Sequence, residues 1–181
     1  MNSNPPFVHQ RHKPATPLAH PRHLVIVCPV FRSRVNLSRI VRLAGCLGIH
    51  RLVAARPFSV DPEIARAAAD FVQIESRGSL VPVLQKLKHD GYRVVGLEQT
   101  TGSRSLFDFQ FPEKTALLLG HERQGIPPAE LARTDDVVEI PVFGQPASYN
   151  VATAATLAAW EYCRQHRQVE AGPESTAPHE S

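Results

Sequence analysis

The feature that most constrains this chain is an alternation of short, apolar runs with stretches whose apolar residues recur at helical spacing. Leu24-Val-Ile-Val-Cys28 is the first such run, and it contains no polar residue at all. A strand with one wet face alternates apolar and polar side chains. A continuous apolar strand is covered on both faces, as in a parallel sheet. Further runs fall at Arg51–Ala55, Phe71–Ile74, Tyr92–Leu97, Thr115–Leu119 and Val137–Ile140. Between the first two, Leu37, Ile40, Val41, Ala44 and Leu47 mark one face of a helix, with Asn36 at its N-cap and Gly48 just past its end. Asp61-Pro62 opens a second helix, and Ser79 a third that Asp90-Gly91 stops. Pro127-Pro128 starts a short one, and a long apolar helix follows Asn150. The segment Leu106 to Phe111 fits neither period and reads as loop. Strand and helix in alternation predict an α/β fold, a mostly parallel sheet with helices on both faces.

At 181 residues the chain is expected to hold one domain, over about residues 23–165. A proline-rich basic arm (residues 1–22) and a polar tail (166–181) flank it, and both are expected to be disordered because they offer little apolar surface. A net charge of +3, with nine His besides, permits a polyanionic partner without demanding one. Three cysteines without C-x-x-C spacing indicate neither a disulfide framework nor a zinc site, and no other metal is expected. No apolar run approaches the roughly 18 residues of a membrane span, and the first residues lack a signal core. The expectation is a soluble, cytoplasmic protein.

In a parallel α/β sheet, ligands bind beyond the carboxyl ends of the strands. The loops there, after Cys28, Leu97, Leu119 and Ile140, hold most of the unusual glycine and polar residues. No G-x-G-x-x-G, Walker loop, H-E-x-x-H or G-x-S-x-G occurs. What remains is glycine-lined backbone at Gly96, Gly120 and Gly144 with apolar walls at Leu97, Ile140 and Tyr149. That suits a flat ring without phosphate, close to something anionic. Asn36, Arg39 and Arg42 stand three apart at the head of the first helix and are read as sharing a face. They form either a solvated face or a binding surface. Cations at a helix start oppose the macrodipole, which favours a bound polyanion. Ser148 and Asn150 are either helix caps or, with Gly144 and Tyr149, the lining of a pocket.

Three stretches carry a resemblance: Asn36-x5-Arg42-x5-Gly48; Leu118-Leu-Gly-His-Glu122-x2-Gly125; and Ile140-Pro-x2-Gly144-x3-Ser148-Tyr-Asn150-Val. In this order, each at the end of an expected strand, they resemble the motifs of the SpoU/TrmH family of RNA 2′-O-ribose methyltransferases, within the SPOUT superfamily. The resemblance spans about Leu24 to Tyr162. It implies a C-terminal deep trefoil knot, one of the few exceptions to the rule against knotted chains. It implies a homodimer and S-adenosylmethionine as cofactor, held by Gly120, Ile140, Ser148 and Tyr149, with Leu97 and Thr100 at the adjacent loop. It makes Arg42 the catalytic residue, supported by Asn36, Glu122, Ser148 and Asn150. Arg42 would be either the base for the 2′-hydroxyl or, since guanidinium stays protonated, an electrostatic stabiliser. Glu122 is equally readable as a cap or a dimer salt bridge.

Ser38, His121 and Tyr149 depart from the family's usual Gly, Asn and Leu at those positions. Transfer RNA is the expected substrate, with ribosomal RNA second. The alternatives are a non-catalytic RNA-binding member of the fold and a doubly wound, nucleotide-dependent enzyme acting on a small molecule.

Overall fold

The computed structural model of the protein describes residues 13–168, so residues 1–12 of the expected arm and 169–181 of the expected tail lie outside it. Seven strands, β1 (Leu24–Cys28), β2 (Arg51–Ala55), β3 (Gln73–Arg77), β4 (Arg93–Leu97), β5 (Arg104–Ser105), β6 (Thr115–Leu119) and β7 (Asp136–Glu139), form one sheet. Its order is β3-β2-β1-β6-β4-β7-β5, and every pairing is parallel. The helices are α1 (Arg34–Leu47), α2 (Pro62–Ala65), α3 (Ala68–Phe71), α4 (Val81–His89), α5 (Pro128–Leu131) and α6 (Val151–Gln165).

The apolar runs behave as their composition predicts. Leu24, Ile26 and Cys28 of β1 enter one core with Leu37, Ile40 and Val41 of α1 and Ala155, Ala158 and Ala159 of α6. Val25 and Val27 enter a second core, on the opposite face, with Leu84 and Leu87 of α4. Both faces are covered, so neither tolerates polar alternation. The small side chains along α6 let it lie close against the sheet and α1. Its far end is fixed by the Tyr162 hydroxyl, which donates to the Glu113 carbonyl at 2.5 Å.

Element ends differ from the sequence expectation in instructive ways. The first helix begins at Arg34, with Ser33 in the N-cap position, so Asn36 lies inside the first turn. Its amide is engaged by distant side chains and does not cap the helix. Asp61 does cap, accepting from the Glu63 N–H at 3.0 Å, but the helix it starts breaks at Arg66, whose φ is 53°. Phe71 ends α3 and does not begin β3. The residue at the N-cap position of α4 is Leu80, one later than Ser79. Arg104 and Ser105 add a two-residue strand on the sheet edge, just before the segment read as loop.

The part of the arm nearest the domain is held. The Ala19 N–H donates to the Gln168 carbonyl, and the Arg22 guanidinium bridges the Leu47 and His166 carbonyls at 2.7 and 2.9 Å. Those carbonyls lie at the C-terminal ends of α1 and α6, where a cation complements both dipoles. Among the described residues, no helix is long and apolar enough to cross a membrane.

Candidate active site

A cleft of about 430 Å3 opens where β4, β6 and β7 end. Leu97, Leu119, Ile140, Val142, Val151 and Ala154 form its apolar walls. Glu98, Gln99, His121, Glu122, Arg123, Glu139, Ser148, Tyr149 and Asn150 form its polar lining, with Gly120 and Gly125. Of the residues singled out from sequence, Leu97, Gly120, Glu122, Ile140, Ser148, Tyr149 and Asn150 are therefore on the wall. They come from three strand ends and the start of α6.

Asn36 stands behind the wall and ties the three sequence motifs together. Its Nδ2 donates to Glu122 Oε1 at 3.0 Å, and its Oδ1 accepts from Asn150 Nδ2 at 3.2 Å. Asn150 Oδ1 in turn caps α6, accepting from the Ala152 and Thr153 N–H groups at 3.0 and 3.4 Å. Cap and pocket residue, alternatives in the sequence, are thus one residue doing both. Glu122 also accepts from the Arg32 and Ser33 N–H groups, at 3.2 and 3.4 Å. Partial burial disfavours the charged Glu122 carboxylate. The hydrogen bonds from Asn36 and backbone N–H groups outweigh it, holding the carboxyl below its ordinary range. The head of α1 is thereby anchored to an anion, as its dipole prefers.

Sequence reasoning missed Glu98. Its carboxylate reaches under the loop after β6 and accepts from the Ile126 N–H at 2.9 Å and from its neighbour Gln99 N–H at 2.9 Å. That loop closes on itself through paired bonds between His121 and Gly125. A glutamate after an apolar strand has no distinguishing pattern; the only signal was Gly125, whose φ of 66° reports the tight return. Thr100 is not on the wall. It belongs to a turn closed by Ser103, whose hydroxyl oxygen lies 2.7 Å from both the Thr100 carbonyl and the carboxylate of the wall residue Glu139, with its single proton shared between the two acceptors.

Arg42 is also off the wall. Asn36, Arg39 and Arg42 do not share a face: Asn36 is 7% exposed, whereas the two arginines are exposed. The reason is geometric, since a three-residue step falls 60° short of a full turn and two steps fall 120° short. Arg42 stands about 9 Å along α1 from Asn36. Of the three departures, Ser38 is buried and structural. Its hydroxyl donates to the Arg34 carbonyl and accepts from the Asp61 N–H, fastening the segment after β2 to α1. His121 accepts from the Arg123 N–H through Nδ1 and has Nε2 at 3.7 Å from Glu122. Tyr149 is 43% exposed at the cleft mouth.

Residues 23–160 match the model of the SpoU rRNA Methylase family. The chain is 37% identical over 148 residues to a mouse tRNA (guanosine(18)-2′-O)-methyltransferase; the match covers 78% of this chain but 9% of the mouse protein. A solved A. aeolicus TrmH/SpoU tRNA modifying enzyme shares the fold with a TM-score of 0.78 at 23% identity, over 83% of this chain and 78% of that one. The Streptomyces viridochromogenes SpoU methyltransferase AviRb, solved with the cofactor AdoMet, superposes with a TM-score of 0.69 at 26% identity, over 86% of this chain and 62% of that one.

Proposed function

Because the chain belongs to the SpoU rRNA methylase family, we propose that it transfers a methyl group from S-adenosylmethionine to a ribose 2′-hydroxyl of RNA, with tRNA preferred over rRNA. One observation carries this: Asn36, Glu122 and Asn150, one from each motif, are hydrogen-bonded into a single chain at the cleft. The names of the mouse and A. aeolicus relatives support tRNA.

The cleft suits the cofactor. Its volume falls in the roughly 300–1,000 Å3 range of small-molecule sites. Its walls are apolar enough for an adenine ring, and Glu98, Glu122 and Glu139 outnumber Arg123, which favours a cation. When bound, the cofactor supplies a methyl group on positively charged sulfur. Backbone of Leu97, Gly120, Ile140 and Tyr149 would hold it, with Ser148 at the rim and Thr100 steadying the neighbouring turn. Asn36, Glu122 and Asn150 keep the first turns of α1 and α6 in register with that wall.

Arg42 is the proposed catalytic group. It stands on the exposed flank of α1, so RNA must bring the 2′-hydroxyl between arginine and cleft. A guanidinium keeps its proton near neutral pH, which makes it a stabiliser of negative charge on the 2′-oxygen and not a base; the hydroxyl proton passes to solvent water as the O–CH3 bond forms. Holding the reacting groups in line supplies much of the remaining acceleration. Arg32, Arg34 and Arg39, on or beside the same helix, add salt-dependent phosphate contacts.

Two further properties belong to this reading. The C-terminal part is threaded as a deep trefoil knot, a view supported by β6 returning between β1 and β4, β7 entering between β4 and β5, and α6 lying back on α1. The active form is a homodimer in the cytoplasm, and the exposed Leu157 and Trp160 on α6 offer an apolar face for the second copy.

The test is transfer of tritium from labelled S-adenosylmethionine to bulk tRNA and to rRNA, with the product mapped by resistance of the methylated ribose to alkali. Arg42→Ala is expected to abolish transfer while leaving S-adenosylhomocysteine affinity nearly intact. Wild-type turnover in that variant overturns the assignment, and RNA binding by the wild type without transfer points to the non-catalytic alternative.

A further inference from the structure

Among the described residues, Phe107 and Phe143 are the most exposed of the large apolar side chains, at 72% and 85%. Their ring planes lie within 17° of parallel, with centroids 6.4 Å apart. Both segments are tied to the end of β7. The Leu106 N–H donates to the Glu139 carbonyl at 2.8 Å, which brings Phe107 beside the cleft wall. Phe143 follows four residues after Glu139, in a loop whose Val142 and Ser148 line the cleft. We propose that this pair is a stacking platform for an unpaired base of the RNA next to the methylated ribose. The inference rests on the RNA-methylating reading above.

Phenyl rings left in water at the mouth of a cleft mark a place that a partner covers. The surroundings indicate what kind. Gly144, Gln145, Pro146 and Ala147 are all exposed, and nothing lies within 4 Å of a Cβ built on Gly144. The two rings thus stand out from an exposed loop of mostly small residues. A stable subunit contact buries about 800 Å2 per partner, which two phenyl rings do not supply. A nucleobase needs only a flat face of ring size, and stacking on aromatic side chains is how unpaired RNA is commonly gripped. The loop that carries Phe143 also lines the proposed reaction cleft through Val142 and Ser148, so a base held on the rings lies near the adjacent ribose.

The test compares Phe107→Ala, Phe143→Ala, the double variant and Phe143→Trp with the wild type. Both side chains are exposed, so melting temperatures are expected to stay the same and folding does not confound the result. Binding to bulk tRNA is expected to weaken about tenfold per alanine, seen as a raised KM for tRNA. Affinity for S-adenosylhomocysteine should not move, and Phe143→Trp should restore tRNA binding. The slope of binding against salt should also be unchanged, because no phosphate contact is lost. Wild-type tRNA affinity in the double alanine variant overturns the platform while leaving the methyltransferase reading intact. So does a loss of tRNA binding that merely follows a loss of self-association in sedimentation, which makes the rings a subunit contact. If the wild type binds neither tRNA nor rRNA, both readings fall.

Discussion

The loop after β6 and the loop after β7 wall the same cleft, yet they are built in opposite ways. Residues 120–125 turn back within six residues, bond His121 to Gly125 in both directions, and sit on the Glu98 carboxylate. Residues 141–150 run exposed from Phe143 onward. Their hydrogen bonds lie at the two ends, by Glu139 on one side and Asn150 on the other, with Phe143 resting on Phe107 between them. The first loop is a rigid rest, closed on itself at His121 and Gly125. The second offers side chains and free surface to whatever enters. Such a division suits a site that binds one constant ligand and one large, variable one.

The largest expected effect breaks the rigid side. In Gly125→Ala the new Cβ falls 2.2 Å from Glu98 Oε2, at a φ of 66° that alanine resists. Left-handed backbone and the displaced carboxylate together cost about 3 kcal/mol. Thermal melting should fall accordingly, and calorimetry should find S-adenosylhomocysteine binding lost. Retained cofactor affinity would mean that the loop is not the rest described here.

Next in size is the junction between the two sides. Asn150→Ala removes both the α6 cap and the bond to Asn36, and should cost about 1–2 kcal/mol of stability along with methyl transfer. Asn150→Asp separates the two functions. Its carboxylate still caps α6, favourably with the dipole, but it has no N–H for Asn36. Melting near the wild-type value with impaired transfer is expected, and equal losses in both variants would reduce Asn150 to a cap.

A smaller effect appears only in acid. The Glu122 carboxyl titrates lower folded than unfolded, so its contribution to stability is complete above the unfolded value of about 4.3. That contribution disappears as pH falls through the lower folded value. Melting temperature should therefore drop less steeply below about pH 4.3 in Glu122→Gln than in the wild type. Parallel curves would show that the carboxylate's bonds to Asn36, Arg32 and Ser33 add nothing.

How far the sequence reveals this contrast follows from its physics. The apolar runs at Leu24–Cys28 and Thr115–Leu119 correspond residue for residue to β1 and β6, because burial on both faces excludes polar side chains save Thr115, whose hydroxyl donates to the Pro112 carbonyl. The insertion of β6 between β1 and β4, and of β7 between β4 and β5, is invisible there, since strand order depends on long-range pairing. Cleft residues were legible where a motif spans a strand end, as at Gly120, Ile140 and Asn150. Glu98 was not, because its role depends on a loop that lies more than twenty residues away in the chain. The supposed common face of Asn36 and Arg42 failed through cumulative helical drift, and only coordinates reveal which of them turns inward.

The smallest expected effect sharpens the comparison from the open side. Gly144 is a motif glycine, and the resemblance alone treats it like Gly125. Its backbone is not left-handed, and a Cβ built there meets nothing within 4 Å. Gly144→Ala should therefore leave stability within about 0.5 kcal/mol of the wild type, and cofactor affinity unchanged. If Gly144 nonetheless matters, the added methyl must meet something absent from the isolated chain, and the defect will appear in KM for tRNA alone. Matched melting curves with a raised KM would assign the open loop to RNA. A loss of stability as large as that of Gly125→Ala would erase the distinction between the two loops.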